Sequence, residues 1–380
     1  MRFFYWYLYV LLWLLALVGQ RFNIQKQQRF LAIYCGIWAF VFGFRRYDVG
    51  NDTSGYVVFF ENKGGGGIYG TIDNPFVELE DGFVIISRFI NIFTDNATVV
   101  FLFIGIVLWM LLYQLYKNTS RTPLLSMLFM LTITGRMFYT LEIAVRQTMS
   151  IIVILCGSLL LLKSGISNWR NIYKSKMAIV GVLLCVLSIS VHRSAGLLVI
   201  IMVAVYFMYL SKTLAYILIC VCSFVTFFAS DFFALLFDGT MLLIGGFSNE
   251  NINLLGDRYI GDMETGKFGI STAIGWLVPT LMTVYLSKKE VVNKFFFKMF
   301  ISTFCLHMLM QFSAMHDRLI TLFILYGFTS SIPEICRKNK SLYFIYMMIA
   351  LYYVIIIDYR AFANWPVKDD SAVPYYFIWQ

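Results

Sequence analysis

Long apolar runs alternate with short polar connections along the whole chain. Most of these runs hold about 15 to 20 residues, close to the length of an α-helix that crosses the hydrocarbon core of a bilayer. Two connections are much longer than the others, at 45–96 and 231–268. The pattern predicts twelve helices, at 3–19, 30–44, 97–116, 124–140, 142–162, 177–191, 194–210, 213–230, 269–286, 295–311, 318–332 and 341–357.

Composition indicates which solvent surrounds these helices. Of the 380 residues, 60% are hydrophobic and 13% are charged, whereas a soluble domain carries about a quarter charged residues. An aqueous fold cannot bury so much apolar surface, so we predict an all-α polytopic membrane protein with about twelve transmembrane helices. It forms one integral membrane domain over 1–380. The first run, 3–19, lacks the basic segment and cleavage site of a signal peptide, which predicts a retained helix.

The basic residues lie on alternate connections. An excess of Lys and Arg marks the cytoplasmic loops of membrane proteins, so both termini and the two long connections are predicted to lie outside the cytoplasm. The basic connections carry Arg21, Lys26, Arg29, Lys117, Arg121, Lys163, Arg170, Lys174, Lys176, Lys212, Lys288, Lys289, Lys294, Lys298, Arg337, Lys338 and Lys340.

The cations that this topology leaves outside are mostly arginines, ten Arg against three Lys. Arginine offers a permanently charged planar fork that binds phosphate with two hydrogen bonds. Several of these arginines lie at the edge of a helix, where a charge is costly unless it is paired. We therefore predict an outward cavity that receives a phosphate or pyrophosphate. In the alternative interpretation the arginines pair with the acidic residues of the same side.

Short motifs in a fixed order indicate a family. Residues 46–56 read R-x-D-x-G-x-D-x-x-x-Y, which resembles the opening signature of the EpsG-like family of Wzy-type polysaccharide polymerases. Later segments are similar to further family motifs in the same order. They are Glu80-Asp81-Gly82-Phe83, followed by an amphipathic stretch at 83–94, then Arg146-Gln147, His192-Arg193-Ser194-Ala195, Asp317-Arg318 and Pro374-Tyr375.

The resemblance implies a GT-C-like membrane glycosyltransferase of the bacterial inner membrane, with its active site facing the periplasm or outside. Such an enzyme polymerises undecaprenyl-pyrophosphate-linked oligosaccharide repeat units into O-antigen or another surface polysaccharide at the outer leaflet. The implied partners are these lipid-linked oligosaccharides, the lipid bilayer and, as a further candidate, a chain-length regulator. Nucleic acid is not among them.

Site residues follow from the chemistry of the implied reaction. Fixed arginines stabilise the negative charge that develops on a leaving pyrophosphate. The acceptor hydroxyl needs a general base, for which His192 is the first candidate and Asp48 and Asp52 are alternatives; a histidine that only caps a helix stays open. Glu80, a further alternative for the base, and Tyr56 are predicted to contact the glycan. The pyrophosphate-binding candidates are Arg46, Arg136, Arg146, Arg193, Arg258 and Arg318.

Other chemistries find less support. Three scattered histidines argue against a histidine-ligated metal site, and no Walker or Rossmann fingerprint is present, so we expect no metal and no cofactor. A ligase of the same GT-C class needs the same residues and stays an alternative. A flippase for lipid-linked oligosaccharides is the third alternative, but it needs charges in the middle of several helices, where this chain is almost entirely apolar.

Overall fold

The computed structural model describes residues 4–47, 53–62, 80–133, 141, 144–165, 169–228, 273–309 and 316–358, and this part of the chain is helical. The helices are α1 (Phe4–Gly19), α2 (Ile24–Gly43), α3 (Thr53–Glu61), α4 (Asp81–Asn91), α5 (Ala97–Thr119), α6 (Pro123–Thr132), α7 (Val145–Lys163), α8 (Lys176–Val191), α9 (Ala195–Phe207), α10 (Lys212–Phe228), α11 (Val278–Leu286), α12 (Lys289–Val292), α13 (Phe295–Leu309), α14 (His316–Gly327), α15 (Ser331–Lys338) and α16 (Lys340–Tyr352). A 3-10 helix at Trp169–Lys174 and π-helical segments at Ala273–Leu277 and Tyr353–Asp358 complete the described elements.

The all-α prediction is confirmed, and each of the twelve predicted ranges overlaps one of these helices. Helix α2 begins six residues earlier than predicted, because the Asn23 side chain accepts a hydrogen bond from the Lys26 backbone N–H at 2.9 Å and caps a polar first turn. Two described helices, α5 and α7, are long and apolar enough to cross a bilayer by length and composition; eight further apolar segments are shorter.

The chain forms two compact units, Met1–Ile200 with Met348–Gln380, and Ile201–Met347. In the first unit α2 packs closely against α5. Trp38 stacks on Trp109 with 5.4 Å between ring centroids, and both rings are buried. Gly105 allows this approach, since a methyl group there would lie 3.0 Å from the Ala39 carbonyl oxygen. Small residues at a helix crossing are the usual means of close packing in membranes.

Helices α7 and α8 form the other close pair of this unit. A methyl group at Gly157 would lie 2.6 Å from the Gly181 carbonyl oxygen, so both positions require glycine for the observed separation. Nearer the start of α7 and the end of α8, the Ser150 hydroxyl donates to the Ser188 carbonyl at 3.2 Å. The two contacts fix the end of α8 relative to the start of α7.

An aromatic cluster of the first unit lies where one end of each of four long helices meets two short helices. The cluster joins the end of α2, the start of α5, the start of α7 and the end of α8 with the short helices α3 and α4. Its buried members include Phe42, Tyr56, Phe59, Phe60, Phe83, Phe101, Val145 and Val191. The opposite ends of the same four long helices carry Lys26, Lys117, Lys163 and Lys176. This separation agrees with the predicted sidedness of the basic connections.

The second unit is built around α13 and α14. The Thr303 hydroxyl donates to the Phe323 carbonyl at 3.2 Å where these helices cross. Lys298 of α13 is buried, and its ammonium donates to the Met208 carbonyl at 2.9 Å. Because that carbonyl follows the end of α9, the lysine satisfies one of the acceptors that a helix end leaves open.

Candidate active site

The site is built where α4 approaches the end of α8. A methyl group at Gly82, in the first turn of α4, would lie 2.7 Å from the backbone carbonyl carbon and oxygen of Ser190. Glycine is unfavourable inside a helix by about 1 kcal/mol relative to alanine, and here it permits the close approach. Glu80, which precedes the helix as its N-cap, is thereby carried to the residues that follow α8.

The Glu80 carboxylate joins two elements. One oxygen, Oε2, accepts a hydrogen bond from Nη1 of Arg146 at 3.1 Å. The other, Oε1, lies 3.0 Å from Nδ1 of His192 and 3.5 Å from the backbone nitrogen of Arg193, which is a weak contact. The Glu80 side chain is 10% exposed. An acidic side chain at the start of α4 also lies at the positive end of the helix dipole.

Arg146 lies in the first turn of α7, where the helix dipole disfavours a cation. Glu80 compensates this charge, and Nε of Arg146 also donates to the Tyr56 hydroxyl at 3.2 Å. Tyr56 of α3 is buried with its ring edge-on to Phe83 of α4. The Arg146 guanidinium therefore links α7 with α3 and with the start of α4, and it binds side chains of the protein itself.

Two opposing effects act on the ionisation of Glu80. Burial raises the pKa of the carboxyl, but the hydrogen bond with His192 and the charge of Arg146 outweigh it and lower the pKa from 4.5 to about 2. Glu80 is thus a carboxylate at any physiological pH. A carboxylate with so low a proton affinity is a poor general base but a permanent hydrogen-bond acceptor.

Arg193 differs from Arg146 in its exposure. Its side chain is exposed, and within the described part of the chain no carboxylate lies within ion-pair distance of its guanidinium. It stands directly after His192 in the turn between α8 and α9. An exposed guanidinium beside a histidine is suited to an anionic ligand that arrives from outside the protein.

The structure thus brings together five of the predicted site residues: Tyr56, Glu80, Arg146, His192 and Arg193. Arg46 lies just beyond the end of α2 and is partly exposed, and Arg318 belongs to the first turn of α14 in the second unit. Asp48, Asp52, Arg136 and Arg258 lie outside the described residues. The metal-free prediction stays a prediction; among the described residues no three His, Cys, Asp or Glu side chains are grouped for a metal ion.

A buried arginine that the sequence analysis did not single out, Arg45, packs on the aromatic cluster. Arg45 is 1% exposed, and its guanidinium carbon lies 4.4 Å from the Phe42 ring centroid and 4.7 Å from that of Phe101. Cation–π contacts of this kind stabilise a buried guanidinium. The doubled arginine after a phenylalanine was visible in the sequence, but its partner Phe101 is far away along the chain.

A second histidine of the sequence, His307, lies in α13. His307 is buried in the second unit and stacks on Trp276 with 4.1 Å between ring centroids. The stacked geometry is that of a packed side chain. We therefore assign His307 a structural role.

Comparison with protein families decides the relationship that the motifs suggested. A model described as the EpsG family matches residues 28–377. The chain belongs to the EpsG family. The matched range includes the five site residues that the structure brings together, and the predicted family is confirmed. Membership together with the apolar helices indicates a membrane protein, and a Wzy-like polysaccharide polymerase or a related membrane enzyme. Neither a curated protein nor a solved structure matches this EpsG-family chain.

We expect the close approach at Gly82 to be essential for the site. In Gly82→Ala the new methyl group meets backbone atoms of Ser190, which cannot rotate away, so α4 must shift and carry Glu80 from His192. Overpacking of this kind costs about 1–3 kcal/mol. The thermal unfolding midpoint of the purified protein should fall.

Gly36→Ala is the matched control, because nothing lies within 4 Å of a methyl group at that position of α2. Because alanine favours a helix more than glycine does, we expect the unfolding midpoint to stay the same or to rise slightly. Equal behaviour of the two variants would contradict the packing argument.

Proposed function

We propose that this protein is a polysaccharide polymerase with about twelve transmembrane helices and a GT-C-like architecture in the bacterial inner membrane. It joins oligosaccharide repeat units carried on undecaprenyl pyrophosphate, and its site faces the periplasm or outside. Family membership supports the reaction class. The single observation that carries the chemistry is the cluster in which Glu80 contacts both Arg146 and His192, with the exposed Arg193 beside them.

In the proposed reaction a hydroxyl oxygen of the acceptor glycan attacks the anomeric carbon of the donor sugar. The bond between that carbon and the pyrophosphate oxygen breaks, and its electron pair leaves with undecaprenyl pyrophosphate. The hydroxyl proton passes to His192 and then to water. Arg193 binds the pyrophosphate of the donor and stabilises the charge that develops on it as it leaves.

This assignment divides the predicted arginines into two groups. Arg146 is held by Glu80 and Tyr56, so it organises the site, whereas Arg193 is available to the substrate. Arg46, Arg136, Arg258 and Arg318 stay candidates for further pyrophosphate contacts. Asp48 and Asp52 stay alternatives for the base.

We expect Arg193→Ala to weaken substrate binding more than it weakens the fold. Loss of one charge-assisted hydrogen bond to the pyrophosphate corresponds to about 1.5–3 kcal/mol, so KM for the lipid-linked donor should rise about 10- to 100-fold. Arg88→Ala removes another exposed arginine of the same unit, outside the cluster, and serves as the control. Identical KM values for the two variants would remove Arg193 from the substrate site.

The alternatives predict different products. A strain that lacks the protein should carry surface lipid with a single repeat unit, and complementation with the wild type should restore a ladder of polymer lengths. Well-expressed Arg146→Ala, Arg193→Ala, Arg318→Ala and His192→Ala variants should fail to restore it. Accumulation of finished polymer beside undecorated lipid acceptor would instead indicate a ligase, and accumulation of repeat units on the cytoplasmic leaflet would indicate a flippase.

A further inference from the structure

The contact between His192 and Glu80 has a defined direction. A carboxylate only accepts hydrogen bonds, and Glu80 is ionised, so the ring nitrogen that faces it at 3.0 Å must carry the proton. That nitrogen is Nδ1. In a neutral imidazole one nitrogen is protonated and the other accepts, so Nε2 is left with a free lone pair.

The surroundings keep the carboxylate in place. Oε2 of Glu80 is held by Arg146, which in turn is held by the buried Tyr56 hydroxyl, and Gly82 fixes the start of α4 against Ser190. His192 directly follows the last residue of α8. Its backbone N–H donates to the Ser188 carbonyl at 3.0 Å and so fixes the backbone of His192 to the end of this helix. Both partners of the contact are therefore anchored to packed helices.

We infer that Glu80 is a positioning residue: it holds His192 as the Nδ1–H tautomer and presents Nε2 as the atom that takes the proton of the acceptor hydroxyl. This inference rests on the proposed function and assigns Glu80 a role other than the glycan contact predicted from the sequence. Arg146 and Tyr56 act one step further away by keeping the carboxylate ionised and fixed. Carboxylates that orient a histidine in this way set its tautomer in other sites too.

The tautomer is measurable without any reaction. The sequence contains three histidines, His192, His307 and His316, so the ring nitrogens of His192 can be assigned in ¹⁵N-histidine-labelled full-length protein in lipid nanodiscs by difference with His192→Asn. At pH 8 we expect a protonated Nδ1 and an unprotonated Nε2. In Glu80→Gln, which keeps the size of the side chain but removes the charge, we expect a mixture of both tautomers. A mixture in the wild type would overturn the inference.

Kinetics provide the second readout. In Glu80→Gln we expect kcat to fall about 10- to 100-fold, the range found when the hydrogen-bond partner of a metal-bound histidine is removed, with less than about a threefold change in KM. A raised KM with unchanged kcat would instead indicate that Glu80 binds the substrate, as predicted from the sequence.

Two controls keep the outcome readable. Glu80→Gln takes the counter-charge from Arg146, which can lower the unfolding midpoint. The double variant Glu80→Gln/Arg146→Gln removes both charges. It should restore the unfolding midpoint but leave kcat low. If the wild-type protein shows the expected tautomer but joins no lipid-linked repeat units, the proposed function fails while the positioning by Glu80 stands. If it joins them and Glu80→Gln does so at the wild-type rate, the positioning role fails alone.

Discussion

Arg146→Ala should abolish polymer formation, the largest effect that we expect from a single substitution. The change removes the cation from Glu80 and the hydrogen-bond donor from the buried Tyr56 hydroxyl at once. A largely buried carboxylate without its partner is destabilising by about 3–5 kcal/mol. The polymer ladder of cells that carry the variant should match that of the deletion strain, and the unfolding midpoint of the purified protein should fall.

Arg146→Lys and Tyr56→Phe should cause smaller losses of polymer than Arg146→Ala. Lysine keeps the charge but lacks the planar fork that serves Glu80 and Tyr56 together, so we expect a shortened ladder. Tyr56→Phe removes the hydrogen bond from Arg146, about 0.5–1.5 kcal/mol, and should shorten the ladder least. A folded Arg146→Ala variant with a full-length ladder would show that the cluster is not required.

His192→Asn should lower kcat about 10²- to 10⁴-fold, the usual contribution of a general base, without a comparable loss of protein from the membrane. Asparagine can still accept or donate a hydrogen bond near Glu80, but it cannot take a proton from the acceptor hydroxyl. Single-turnover polymerisation with a lipid-linked repeat unit measures this directly.

His307→Phe is the matched control for a histidine substitution. Phenylalanine preserves the stacking on Trp276, so we expect kcat to stay near the wild-type value. A loss of kcat in His307→Phe with wild-type activity in His192→Asn would move the base to the second unit.

Much of the fold could be predicted from the sequence because a membrane helix is encoded locally. The apolar runs located a helix for each predicted range, and the basic connections agree with the opposite ends of α2, α5, α7 and α8. The early start of α2 depended on one Asn23 cap, and α3 was hidden within a long connection because nine residues of mixed polarity give a weak periodic signal.

The members of the site could be predicted more easily than their mutual roles. The motifs identified Tyr56, Glu80, Arg146, His192 and Arg193, yet their spacing in the chain does not reveal which cation meets which acid. The structure pairs Glu80 with Arg146, as the alternative interpretation expected, and leaves Arg193 exposed, so phosphate binding by Arg193 stays a prediction. That division arises from the Gly82 approach, a long-range contact that no local pattern encodes.

The most direct test of the account is reconstitution of the purified protein in liposomes that contain a single lipid species, an undecaprenyl-pyrophosphate-linked repeat unit. We predict polymer of increasing length, with one undecaprenyl pyrophosphate released for every glycosidic bond formed, and neither product with His192→Asn. Polymer absent at full protein incorporation, or polymer formed equally well by His192→Asn, would contradict the proposed reaction and its site.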